Sequence, residues 1–128
     1  TSFMDESQRT AFLDRFRTRT ASIGLAVLGG IFAEGVDLPG DQLVGVTVIG
    51  IGLPRLSLER DLLLQHFAAT RGTGFDYAYR FPGMQRVLQA VGRLIRSESD
   101  QGGALLIDQR FKEYRYRILF PDWWPILE

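Results

Sequence analysis

Residues 84–96, Met-Gln-Arg-Val-Leu-Gln-Ala-Val-Gly-Arg-Leu-Ile-Arg, constrain the fold of this 128-residue chain more than any other stretch. Wound at roughly 100° per residue, they put Met84, Val87, Leu88, Val91, Leu94 and Ile95 on one side of a helix. Gln85, Gln89, Arg93 and Arg96 fall on the other side, at i, i+4, i+8 and i+11. A helix with such an apolar face must lay it on another element, and a sheet is the natural cover. The plainest reading of the opposite face is that it is solvated. Two details pull against that reading. Gly92 costs about 1 kcal/mol relative to alanine in mid-helix, so its place beside the arginines suggests close approach by another backbone or a ligand. The cations are arginines, whose planar fork suits bidentate contact with phosphate oxygens.

Three apolar, glycine-punctuated runs offer the sheet. Residues 23–28 end at Gly29-Gly30 and read as a buried strand of a parallel sheet. Residues 43–53, rich in β-branched side chains and stopped by Pro54, read as a second strand. Residues 104–107 read as a third. Helical patterns lie between and around them: 6–20, 56–70 with Ser57 as N-cap, and the arginine-bearing helix opened by Pro82. Residues 71–81 read as a loop of glycines and aromatics. Residues 111–120 read as a helix with Phe111, Tyr114, Ile118 and Leu119 inward, and Trp123 and Trp124 as anchors for the end of the chain. Strands alternating with helices give the α/β class, three layers around a mainly parallel sheet.

Composition narrows the chemistry. Formal net charge is zero, so no long-range field draws in nucleic acid and any such contact must be a local patch. There is no cysteine, hence no disulfide or thiolate metal site; this fits a reducing, cytoplasmic setting. No apolar run is long enough to span a bilayer, and no signal peptide opens the chain. Lys112 is the only lysine, against fourteen arginines. It stands in Arg-Phe-Lys-Glu-Tyr, so the Gly-x-x-x-x-Gly-Lys-Ser/Thr phosphate cradle is missing, and no Asp-Glu pair follows a strand to hold magnesium. The chain therefore cannot hydrolyse ATP alone by the P-loop route; it could supply only the far side of such a site. His66 is the only histidine, with no companion ligands, and no serine sits on a Gly-x-Ser-x-Gly elbow. Gly50-Ile51-Gly52 begins like a dinucleotide fingerprint, but Arg55 occupies the third glycine's place; close packing at a strand end is the better reading.

Candidate functional groups fall at predicted strand ends. Glu34 and Asp37 lie among three glycines and Pro39 after the first run, where open α/β sheets bind ligands. The alternative is carboxylates capping nearby amides. Asp108 and Arg110 follow the third run in the same way. Arg9, Arg15, Arg17 and Arg19 make the first helix either a solvated surface or an edge near a phosphate backbone. The aromatics beside Arg71 and Arg80 either cover the core, the simpler reading, or stack bases of a single strand.

Two of these stretches together resemble a known family. Gln89-x-x-Gly92-Arg93-x-x-Arg96 is similar to motif VI of superfamily-two helicases, and residues 29–40, with Phe-x-Glu-Gly-Val-Asp-x-x-Gly, are similar to their motif V in its DinG/XPD-like form. The resemblance runs from about residue 8 to residue 124. It implies that residues 1–128 are a partial C-terminal helicase lobe with a RecA-like fold, incomplete because the family's first lobe carries the P-loop. The strand that opens such a lobe would precede Thr1, so an exposed sheet edge or altered pairing is expected. The resemblance further implies ATP and Mg2+ held mainly by the N-terminal lobe, and a parent that can carry an iron–sulfur cluster. Arg93 and Arg96 would reach the γ-phosphate as arginine fingers, and Gln89 would orient the nucleotide or the attacking water. Glu34, Gly35 and Asp37 would link the nucleotide cleft to a single-stranded DNA track. On that view the isolated chain is inactive. Two other readings stand beside it: a non-catalytic α/β interaction module, and a small-ligand-binding Rossmann-like domain.

Overall fold

The computed structural model describes residues 4–18, 21–30, 32, 38, 42–94 and 101–127. The chain divides into two compact units, one of residues 1–48 and 89–105, the other of residues 49–88 and 106–128.

In the first unit, helix α1 (Glu6–Thr18) starts at a reciprocal cap. The Gln8 amide donates to Asp5 Oδ1 (2.8 Å) and the Asp5 amide to Gln8 Oε1 (3.1 Å), so two otherwise orphaned donors are satisfied at once. The narrow apolar stripe of α1, Phe12, Leu13 and Phe16, packs with Met4 and Leu43 on buried Phe32 and Leu38, the Phe12 and Phe32 rings 4.6 Å apart. Residues 23–28 are not the buried strand that their composition predicts. They form no ladder, and Ile23 and Leu25 are 95 % and 84 % exposed. Extended backbone becomes a strand only with a neighbour to pair with, and the described residues offer this run none. Gly24 lets the run pass close to α1, since a Cβ there would lie 2.5 Å from Phe16 Cζ and 2.9 Å from Phe12 Cζ. The chain then turns at Gly29 (φ 78°), with the Gly30 amide bonded to Val27 O at 2.9 Å.

Strands β1 (Gly45–Ile49) and β2 (Gly103–Ile107) make a two-stranded parallel sheet. The register is set by Gly103 N donating to Val44 O (3.1 Å) and Gly50 N donating to Ile107 O (3.0 Å). β1 is shorter than the apolar run 43–53 because Gly50 and Gly52 adopt φ of 84° and 64°, a region that glycine enters without strain. Open space surrounds the position of a Gly50 Cβ. This glycine serves its backbone angle and not the close packing expected of it. Nor are the strands buried as expected: Val48 is covered, but Ile49, Leu105 and Ile107 are half to three-quarters exposed. Parallel strands are buried when helices cover both faces, and the described residues of this small sheet lack that cover.

The second unit is mainly helical. Helix α2 (Leu58–Arg71) is capped by Ser57, whose hydroxyl accepts from the Arg60 amide, and ends at Gly72 in the left-handed region. The predicted loop at 71–81 is instead helical from Gly74, becoming a π-helical turn at Asp76–Arg80 that runs directly into α3 (Phe81–Val91). Its glycine and aromatic content suggested a loop, but both features serve packing. A Cβ on Gly74 would run into the Leu64 carbonyl oxygen, so glycine lets the turn sit directly on α2. Tyr77 stacks on Phe67 at 4.3 Å and meets Phe81 edge-on at 5.1 Å. Arg60 Nη1 donates to Ala78 O (3.2 Å), tying α2 to the turn.

The core of this unit contains Ile51, Ala78, Tyr79, Met84, Val87, Phe111, Tyr116 and Phe120. The largest of these aliphatic side chains each contribute about 1.5–3 kcal/mol by leaving water. The expected single helix at 111–120 is broken by extended Glu113 (ψ 135°) into a 3-10 turn, Gln109–Lys112, and a short helix α4, Tyr114–Arg117. Its inward set is therefore Phe111, Tyr116 and Phe120, while Tyr114 and Ile118, expected inside, are exposed. Of the two tryptophans only Trp124 acts as an anchor, stacked on Phe120 at 5.8 Å; Trp123 is largely exposed. Among the described residues, no helix is long and apolar enough to cross a membrane.

Candidate functional site

Helix α3 carries the glutamine–arginine face, and its seating is unusually close. A Cβ on Gly83 would lie 2.9 Å from Leu53 Cδ2 and 3.0 Å from Ile51 O. Only glycine lets the first turn of α3 touch the segment that leaves β1. One turn later, Arg86 Nη1 donates to Gly52 O at 2.9 Å. The left-handed Gly52 presents that carbonyl, and the charged bond is the stronger kind. The carboxyl end of β1 and the start of α3 are thereby held as one piece. Sequence reasoning missed both residues. The available signal was a glycine directly after Pro82, which lies within continuous helix and does not open it as expected.

Most of the apolar face predicted for this stretch is buried: Met84, Val87, Val91 and Leu94 are all under 8 % exposed, Leu88 is half-buried, and Ile95 lies outside the described residues. Gln85 and Gln89 are exposed on the other side. The helix is shorter than expected, however, ending at Val91. Gly92 and Arg93 lie in a turn, with Leu94 N bonded to Val91 O at 3.0 Å. Gly92 thus marks a helix end, where its low helix propensity costs little. Arg93 extends from that turn and not from the helix face. It is half-buried, with Nε withdrawn from water, and engages another group. It is therefore not the solvated cation of the plain reading. Arg96 lies outside the described residues, as do Glu34, Gly35 and Asp37.

Asp108 and Arg110, at the end of β2, do come together, with each other. The Arg110 backbone amide and Nε both donate to Asp108 Oδ1 at 2.9 Å, and Nη2 donates to Oδ2 at 2.7 Å. The Arg110 side-chain hydrogen bonds outweigh the partial burial of Asp108 and lower its carboxyl pKa from 3.8 to about 2. The same bonds raise the Arg110 pKa. This pair caps the 3-10 turn and orders the strand end. Its guanidinium is already committed to a carboxylate. Among the described residues, no group of three or more His, Cys, Asp or Glu could hold a metal ion.

The helices and the small parallel sheet are consistent with an incomplete RecA-like α/β fold. Residues 1–126 match the helicase C-terminal domain family, and the chain belongs to that family, in its DinG/XPD-like branch. It is 37 % identical over 106 residues to a probable ATP-dependent helicase of Methanocaldococcus jannaschii, covering 75 % of this chain and 16 % of that protein. It is 36 % identical over 89 residues to the ATP-dependent DNA helicase DinG of Photobacterium profundum, covering 68 % and 13 %. It is 34 % identical over 113 residues to the regulator of telomere elongation helicase 1 of Bos taurus, covering 81 % and 9 %. The chain thus spans less than a fifth of the length of each of these relatives.

Proposed function

We propose that this chain is the C-terminal motor lobe of an ATP-dependent DNA helicase. The observation that carries the proposal is the coincidence of Gln89, Gly92 and Arg93 at the exit of α3 with relatives named as ATP-dependent helicases. ATP and its Mg2+ are held by an N-terminal lobe, because this chain has neither a lysine-bearing glycine loop nor a paired acidic motif. Arg93 and Arg96 act across the cleft on the γ-phosphate, where charge builds in the transition state; an arginine finger contributes about 10³–10⁵ in rate. Gln89, exposed one turn before Arg93, orients the nucleotide or its water. Glu34, Gly35 and Asp37 connect the cleft to a single-stranded DNA track, so that closure of the lobes advances the strand.

The test is ATP hydrolysis by the full-length natural protein with and without single-stranded DNA. The expected result is hydrolysis that rises on adding DNA, with no hydrolysis by residues 1–128 alone. A full-length protein that hydrolyses no ATP under either condition would overturn the reading.

A further inference from the structure

One surface of the second unit carries apolar groups and cations that its own core does not use. The π-helical turn and α4 flank an open groove of about 580 Å³, lined by Thr73, Phe75, Asp76, Phe81, Tyr114 and Arg115 among others. A cleft lined by Lys112, Tyr114, Arg117 and Ile118 adjoins it and shares Tyr114 and Ile118 with it. Tyr114 and Ile118 are 77 % and 58 % exposed, and Phe75 and Phe81 are exposed as well. An open apolar patch with a polar rim marks a surface that meets a partner. The state of the rings narrows the choice of partner. Phe75 stacks on Tyr79 at 5.4 Å and holds the Arg80 guanidinium carbon 5.7 Å from its centroid, so its faces are occupied. Phe81 meets Tyr77 edge-on at 5.1 Å, and Ile118 has no flat face to offer. What stays open is mostly ring edge and aliphatic surface, which apolar side chains cover and stacked flat groups do not.

Charge narrows it further. Asp76 is paired with Arg80, so the two cancel within the wall of the groove. Lys112 and Arg115 are exposed and are paired with no carboxylate among the described residues. Glu113 is the only carboxylate between Gln109 and Pro121, against Arg110, Lys112, Arg115 and Arg117, and Arg110 is committed to Asp108. The rim is therefore positive in a chain of zero net charge, and it complements a segment that bears carboxylates. An apolar centre with a charged rim is the make-up of an interface between proteins that part again; permanent interfaces are more apolar throughout. An apolar row flanked by carboxylates, as one face of a short amphipathic helix presents, matches both features.

We propose that this groove docks an acidic amphipathic helix of a separate protein, with its apolar row on Phe75, Phe81, Tyr114 and Ile118 and its carboxylates beside Lys112 and Arg115. Neither a nucleotide nor a nucleic-acid strand enters this proposal, so it stands or falls apart from the motor reading. The probe is a labelled synthetic helix with leucine and tryptophan one turn apart among glutamates, titrated into the full-length natural protein. Saturable binding that weakens with added salt is expected. Ile118→Ser should weaken it about tenfold, with the unfolding midpoint kept, since Ile118 lies mostly in water. Arg115→Glu should weaken it too, and should strengthen binding of the matching helix in which lysines replace the glutamates. No saturable binding by the parent, or both variants binding the acidic helix as the parent does, would overturn the proposal. So would equal binding of an acidic helix with serines in place of its apolar row. Displacement of the probe by oligothymidine at equal concentration would overturn the choice of a protein partner. A parent dimer that Ile118→Ser dissolves would overturn it as well, in favour of a second copy of this chain.

Discussion

Replacing Asp108 with asparagine isolates the ion pair at the end of β2. Asparagine keeps a side-chain oxygen for the Arg110 amide, so the cap survives and only the charge is lost. Asp108 titrates at about 2 in the folded chain against 3.8 for a free side chain. At about 1.4 kcal/mol per unit, that difference corresponds to roughly 2.5 kcal/mol. The Arg110 side chain is 39 % exposed, and solvent screening reduces the expected effect to about 1–2 kcal/mol. The sign follows from the lowered folded value. The contribution is fully present above pH 4 and is lost as pH falls from about 4 to about 2, because the unfolded chain takes up the proton first. Urea unfolding of parent and Asp108→Asn should therefore differ by about 1–2 kcal/mol at pH 7. The gap should narrow at pH 3 and nearly close at pH 2. Equal midpoints at pH 7, or a gap undiminished at pH 2, would refute the reasoning.

Other substitutions test the packing around α3. Arg86→Ala removes the bond to Gly52 O and should lower stability by about 1–2 kcal/mol, read as a shifted urea midpoint with an unchanged slope; no shift would mean that the bond does not hold the helix root. Gly74→Ala drives a methyl into the Leu64 carbonyl and should cost about 3 kcal/mol or more. Gly72→Ala, two residues earlier, meets open space and suffers only from its φ of 72°, about 1–2 kcal/mol; the reverse order in thermal unfolding would contradict the assignment of Gly74 to close backbone approach.

What the sequence made legible was whatever depends on local periodicity and capping. The apolar face of α3, the Ser57 cap, β2 and the family were all readable, because each rests on spacing within a few residues. What it hid depends on contacts distant in the chain. Residues 23–28 have strand composition, yet composition cannot show whether a partner strand lies alongside. Gly74 and the rings after it resemble a loop until α2 is placed beneath them. The inward set of α4 was misassigned because one extended residue, Glu113, shifts the helical phase. The role of Arg86 was invisible, since its acceptor lies 34 positions away and depends on the left-handed turn at Gly52. Of the proposed site residues, Gln89 lies on the exposed side of α3 as its spacing predicts, while Arg93 lies in the turn after the helix and not on its face; Glu34, Gly35, Asp37 and Arg96 lie outside the described residues.

The central claim is that the arginines after α3 complete a nucleotide site built by another lobe. Steady-state ATP hydrolysis by the full-length natural protein carrying Arg93→Ala or Arg96→Ala, at saturating single-stranded DNA, tests it most directly. The account predicts a fall in turnover of about a thousandfold or more for each, with DNA affinity and unfolding midpoint close to the parent's. Parental turnover in both variants would contradict it.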